Sequence, residues 1–120
     1  MDFKQYCYNP NSFEFEIDEM KFVCDEITVG EDAQFFNYYI EKNGRHNLAR
    51  LGLCRATKLK ETPFTVEWIN HLIKVDKTWN DLSSTERLGF LEKLEISFAG
   101  KILKSVNEHY SDTKDQIKNS

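Results

Sequence analysis

The sequence predicts an α+β domain, mostly α: an N-terminal β-hairpin packed on a bundle of about four helices with a long C-terminal helix. Three observations carry this. Residues 12–18, SFEFEID, alternate strictly, with Phe13, Phe15 and Ile17 on one face and Glu14, Glu16 and Asp18 on the other, the period of a half-buried strand. Residues 83–110, SSTERLGFLEKLEISFAGKILKSVNEHY, repeat at helical spacing instead: Leu88, Leu91, Phe98, Ile102 and Val106 share one face, widened by Leu94, Ile96, Ala99 and Leu103. A face so wide, roughly 200°, exceeds the stripe of a surface helix, so one continuous central helix packed on two sides is expected. Between these two elements lie three shorter helical stretches bounded by cap and turn residues.

The elements follow in order. Residues 1–11 are an aromatic, irregular leader closed by Asn9-Pro10-Asn11, a turn signal. After the first strand, Asp18-Glu19-Met20 makes a short connection and KFVCDEITV forms a second strand. Its alternation breaks between Cys24 and Ile27, which predicts a bulge or the end of pairing near Asp25. A hairpin is marginal alone, so its phenylalanine face must lie against helices or a partner. Gly30, Glu31 and Asp32 open the first helix, with acids where the helix dipole favours them, and Asn43-Gly44 stops it. Ala33, Phe36, Tyr39 and Ile40 point one way; Phe35 and Tyr38 point to the opposite flank. Asn47 caps a second helix, LARLGLCRATKLK, with Leu48, Leu51, Gly52, Ala56 and Leu59 inward, and Gly52 and Ala56 allow close approach of a neighbour. A loop over residues 60–64 is broken by Pro63. Thr65 caps VEWINHLIKV, apolar nearly all round and so expected as a short buried helix. Trp79 plugs the junction with the central helix, which starts on a Ser83/Glu86 capping box. Residues 1–110 form one domain, and residues 111–120, SDTKDQIKNS, are too polar to order themselves and read as a flexible tail.

Composition narrows the function. The chain has 120 residues, a formal net charge of −4, and Lys and Arg scattered rather than gathered, so nucleic acid is not an expected partner. Nothing is long and apolar enough to span a bilayer, and MDFKQYCYNP lacks the basic and apolar regions of a cleaved secretion signal. Cys7, Cys24 and Cys54 are odd in number and lack CxxC spacing, which predicts reduced thiols rather than a disulfide framework or a metal knuckle. The histidines, His46, His71 and His109, are isolated. His71 could meet Cys54 as a catalytic pair, but a packed or half-exposed histidine is the plainer reading. No catalytic residue, cofactor or metal is therefore expected.

Two constellations stand out. Arg55 falls between Leu48 and Leu51 on the second helix, and Glu95 falls between Leu88 and Ile102 on the central one. Buried charges need partners, so Arg55 and Glu95 are candidates for a structural ion pair that bridges these helices, against the alternative that either side chain reaches out to the edge of its stripe. Large aromatics also occupy positions where a helix surface would be polar: Phe35 and Tyr38 on the first helix and Phe90 on the central one. With Trp79 they are the candidate protein-binding residues, against the alternative that they fill the core.

Taken in order, FEFEIDEMKFVCDEITVGEDAQFF and PFTVEWINHLIKVDKTWNDLSSTERLGFLEKL resemble the small tail-assembly proteins of tailed bacteriophages, that is, tail assembly chaperones and related baseplate or tail accessory proteins. The similar features are an opening hairpin with a short acidic turn, an ITVGE entry to the first helix, and a late W..L...ER..FL.KL segment, together about two thirds of the chain. The resemblance implies a non-enzymatic protein that binds other tail proteins, with homo-oligomerisation open, acting in the host cytoplasm during assembly. The aromatic leader departs from a simple chaperone pattern and leaves a component of the virion open. Two rival readings are a small acidic phage inhibitor of a host enzyme or defence complex, led by Glu14, Glu16 and Asp18, and a small Cys- or His-dependent enzyme.

Overall fold

The strictly alternating segment forms strand β1 (Ser12–Ile17), antiparallel to β2 (Met20–Asp25), with Phe15 opposite Phe22 and Ile17 opposite Met20. In this computed structural model the backbone is described for residues 11–43 and 48–118. Asp18 and Glu19 alone make the turn, both at positive φ, 51° and 68°. A two-residue hairpin needs that mirror-image turn because its twist matches the strands, and here it is made without glycine.

Helix α1 (Val29–Asn43) starts on a reciprocal cap: the Glu31 amide donates to the Thr28 hydroxyl, and the Thr28 amide donates to the Glu31 carboxylate, each at 3.1 Å. Helix α2 (Leu48–Ala56) ends sooner than its pattern predicted. The next residues form a third strand, β3 (Leu59–Glu61), antiparallel to β2 with Leu59 opposite Cys24, giving the order β1-β2-β3. The β2–β3 register slips between Val23 and Cys24, just before the break that the alternation marked. Three residues are too few for a period of two to show, so this strand was invisible as a pattern. The proposed Asn47 cap and the Gly44 stop lie outside the described residues.

Helix α3 (Val66–Ile73) is capped by Thr65, whose hydroxyl accepts from the Trp68 amide at 3.1 Å. It is not buried all round. Ile69 is its fully buried residue, Trp68, Leu72 and Ile73 are half-buried, and Glu67, Asn70 and His71 face solvent, because only one side of the helix packs on the core.

The expected central rod is two helices, α4 (Ser84–Glu92) and α5 (Ile96–Lys118). The Ser83/Glu86 capping box is present at the head of α4. The break follows from Glu95, whose carboxylate accepts from the amides of Ser97 at 2.9 Å and Phe98 at 3.0 Å, satisfying the first turn of a new helix. The shared face therefore splits: Leu91, Ile102 and Val106 are buried, whereas Ile96 is 84% exposed. At the far end the backbone stays helical to Lys118, so the tail expected over residues 111–120 is helix for most of its length.

The core lies between the inner face of the sheet and α5, and continues as an aromatic cluster under α3 and α4. Phe64 is its centre, with ring centroids 4.7 Å from Phe90, 5.3 Å from Trp79 and 5.8 Å from Phe22. The Trp79 indole N–H donates to the Leu59 carbonyl at 2.6 Å, tying β3 to the α4 entrance. Edge-to-face and tilted contacts of this kind add about 0.5–1.5 kcal/mol per ring pair beyond area burial.

Candidate protein-binding site

The first turn of α1 is clamped from two sides. Lys58 meets Glu31 at 2.7 Å and holds its carboxyl below the usual carboxylate range. One position on, Asp32 receives two parallel hydrogen bonds from buried Arg55, Nε to Oδ1 at 2.9 Å and Nη2 to Oδ2 at 3.0 Å. Arg55 also donates to Asn107 Oδ1 at 3.0 Å, and its guanidinium lies 4.6 Å from the centre of the Tyr110 ring. The Tyr110 hydroxyl in turn accepts from the Ile27 amide at 3.2 Å, and burial pushes its pKa up. One guanidinium thus joins α1, α2 and α5.

This corrects the expected Arg55–Glu95 bridge. Arg55 is buried and paired, as a charge on an apolar stripe demands, but with Asp32; Glu95 is exposed and caps α5, and the amides it receives hold its carboxyl below the ordinary range. The projection failed because it assumed one unbroken helix. Asp32 was read only as a dipole-favoured acid. A readable signal did exist on α5, where Ile102, Val106 and Tyr110 sit four apart and so carry the tyrosine onto the buried face.

Because Asp32 and Phe35 are three apart on α1, the clamp also sets the direction of Phe35. Phe35 is half-buried at the wall of a 250 Å³ groove between α1, α2 and α4. Its apolar surface comes from Phe35, Cys54 and Leu88, and its rim from Gln34, Ser84 and Thr85, all uncharged. The Thr57 hydroxyl, also on the groove, donates to the Cys54 carbonyl at 2.6 Å. A neutral rim around an apolar floor accommodates an apolar or aromatic anchor and resists a charged one, whose desolvation nothing here would offset.

The other candidate aromatics separate from Phe35. Phe90 is 0% exposed and Trp79 4%, so neither belongs to a surface. Arg87 packs beside them: it lies 5.0 Å over the Trp79 ring and donates to the carbonyls of Trp79 and Thr57 at 3.2 and 2.8 Å. The side chain of Tyr38 lies outside the described residues. Cys54 and Leu88 were not read as binding residues; neighbouring elements bring them together, and no local spacing marks that.

Cys24 is fully buried, and desolvation pushes its thiol from 9.0 up to about 12, so it is protonated at neutral pH. His71 and Cys54 line different depressions, one on α3 and the other the groove above. His109 stacks on Phe13 with centroids 3.8 Å apart and approaches Glu26 at 3.5 Å. Among the described residues no group of His, Cys, Asp or Glu could hold a metal ion, and no helix is long and apolar enough to cross a membrane.

No protein-family model matches the chain, nor does any curated protein or solved structure.

Proposed function

We propose that this chain is a non-enzymatic tail-assembly protein of the tailed-phage kind, a chaperone or a tail or baseplate accessory component, that binds other tail proteins. The observation that carries the binding role is the neutral-rimmed groove beside Phe35, on the helix whose first turn the Arg55–Asp32 pair anchors. The occupant it fits is an apolar anchor, such as a leucine or phenylalanine on a helical segment of a tail subunit that polymerisation later buries. A net charge of −4 keeps a protein with such a surface soluble, and the resemblance of the hairpin and the α3–α4 region supplies the tail-assembly context. Action in the host cytoplasm during assembly follows from that role.

The acidic-inhibitor alternative draws on exposed Glu14, Glu16 and Asp18, but Lys21 and Lys101 stand 3.2 Å from Glu14 and 3.6 Å from Asp18 and neutralise part of that charge. The experiment is affinity capture from cells co-expressing the tail genes, comparing wild type with Phe35→Asp and Leu88→Asp. Tail proteins captured by the wild type and lost from both variants, with unchanged melting, support the role. Equal capture by all three removes the groove, and capture of no tail protein removes the role.

A further inference from the structure

We infer that the outer edge of β1 is a docking site for an extended protein segment in which basic and apolar residues alternate. The ladder shows which backbone groups are on offer. The Glu26 amide donates to the Asn11 carbonyl at 2.9 Å, and in an antiparallel pair only every second residue bonds to the neighbour strand. The pairs Phe13–Cys24, Phe15–Phe22 and Ile17–Met20 therefore carry the β1–β2 bonds. The N–H and C=O groups of Ser12, Glu14 and Glu16 point the other way, and among the described residues no strand meets them. Such an edge is a template for another strand.

Side chains select what can pair there. Residues directly opposed across an antiparallel pair share a face. On the inner side a newcomer would lie beside half-buried Phe13 and Phe15, which rest against the core. That calls for apolar side chains. On the outer side it would meet Glu14, which Lys21 approaches at 3.2 Å, and Glu16, both exposed, and with Glu61 nearby three carboxylates act on that one ammonium. That calls for lysine or arginine at alternate positions. A second copy of β1 is disfavoured by the same rule in the registers that set Glu14 and Glu16 against each other.

The inference rests on the reading of this chain as a protein-binding module and specifies one class of partner for it; the test uses no tail protein, so it can fail while the groove experiment succeeds, and the reverse. The probe is a fluorescein-labelled nine-residue peptide of alternating valine and lysine, titrated against the full chain by anisotropy. The controls are the same peptide with glutamate for lysine and one N-methylated at alternate amides. Glu14→Pro removes an outward N–H and no β1–β2 bond, so the fold tolerates it, while Glu14→Gln keeps the N–H and removes the charge. The expected result is binding that weakens at least tenfold for Glu14→Pro, for the acidic peptide and for the N-methylated peptide, and less for Glu14→Gln. Amide exchange at Ser12, Glu14 and Glu16 slows when the basic peptide is bound. Absence of binding overturns the proposal, as does binding indifferent to N-methylation, which keeps the test valid even if Glu14→Pro unfolds. Dimerisation abolished by Glu14→Pro, or binding that appears only after residues 1–10 are deleted, also overturns it by giving the edge to a second copy or to the chain's own leader.

Discussion

At the scale of single residues, Arg55 and Cys24 show what burial demands of polar groups. Arg55 brings a charge onto an apolar helix face and meets it with a two-pronged carboxylate, an amide oxygen and an aromatic ring. Breaking a buried pair leaves its partner uncompensated, so Arg55→Ala is expected to lower stability by about 2–3 kcal/mol, toward the low end because Asp32 is partly solvated. Arg55→Lys keeps the charge and loses the fork, for about half that loss. Urea melts of both, with Asp32→Asn and the double variants, check this, and the double variants should lose less than the sum. Cys24 makes a prediction in pH. Its thiol is raised in the folded protein from 9.0 to about 12, so its contribution is complete below pH 9. As pH rises from there the unfolded chain loses the proton first and is favoured, and stability falls until about pH 12. Tyr110, raised by the same desolvation, acts in the same direction. The alkaline limb of a stability–pH curve should be shallower for Cys24→Ala with Tyr110→Phe than for the wild type.

At the scale of elements, glycines and turns decide how close the pieces lie. A Cβ on Gly52 of α2 would stand 3.0 Å from Asn107 Nδ2 and 3.2 Å from Leu103 Cβ on α5. Asn107 is held by Arg55 and cannot swing aside freely. Gly52→Ala should thus lose about 1–2 kcal/mol despite a helix-propensity gain of about 1 kcal/mol. Gly100 of α5 faces open space, so Gly100→Ala should show that gain undiluted. Thermal melts of the two variants should move in opposite directions. The hairpin turn gives a third case. Glu19 sits at φ 68°, where a side chain is disfavoured, and Glu19→Gly is expected to stabilise by about 0.5–1 kcal/mol, read as a higher urea midpoint at constant slope. Gly52 as a contact and Ser83/Glu86 as a start were legible because each depends on neighbours in sequence. The α4–α5 break was not, since a carboxylate capping forward onto Ser97 and Phe98 looks, in projection, like a charge on an apolar stripe.

At the scale of the whole molecule, sheet and helices share one core. Phe22 of β2, Phe64 of the β3–α3 loop, Phe90 of α4 and Ile102 of α5 belong to a single cluster with Trp79 inside it. Pieces that bury their apolar faces only against each other unfold together, and at 120 residues a single cooperative transition is expected. Tryptophan fluorescence, reporting Trp79 and Trp68, and far-ultraviolet dichroism, reporting helices, should give coincident urea curves; separate midpoints would mean that the hairpin or α5 folds alone.

What the chain determines by itself is whatever rests on short-range periodicity and caps: the alternating hairpin, the capped starts of α3 and α4, the mostly helical α+β class and the necessity of a partner for Arg55. Which partner that is, the third strand, the inward turn of Phe90 and the groove beside Phe35 came only with the tertiary structure. Each is a meeting of residues from different elements, and side chains far apart in sequence have no pattern between them until packing and electrostatics bring them within a few ångströms.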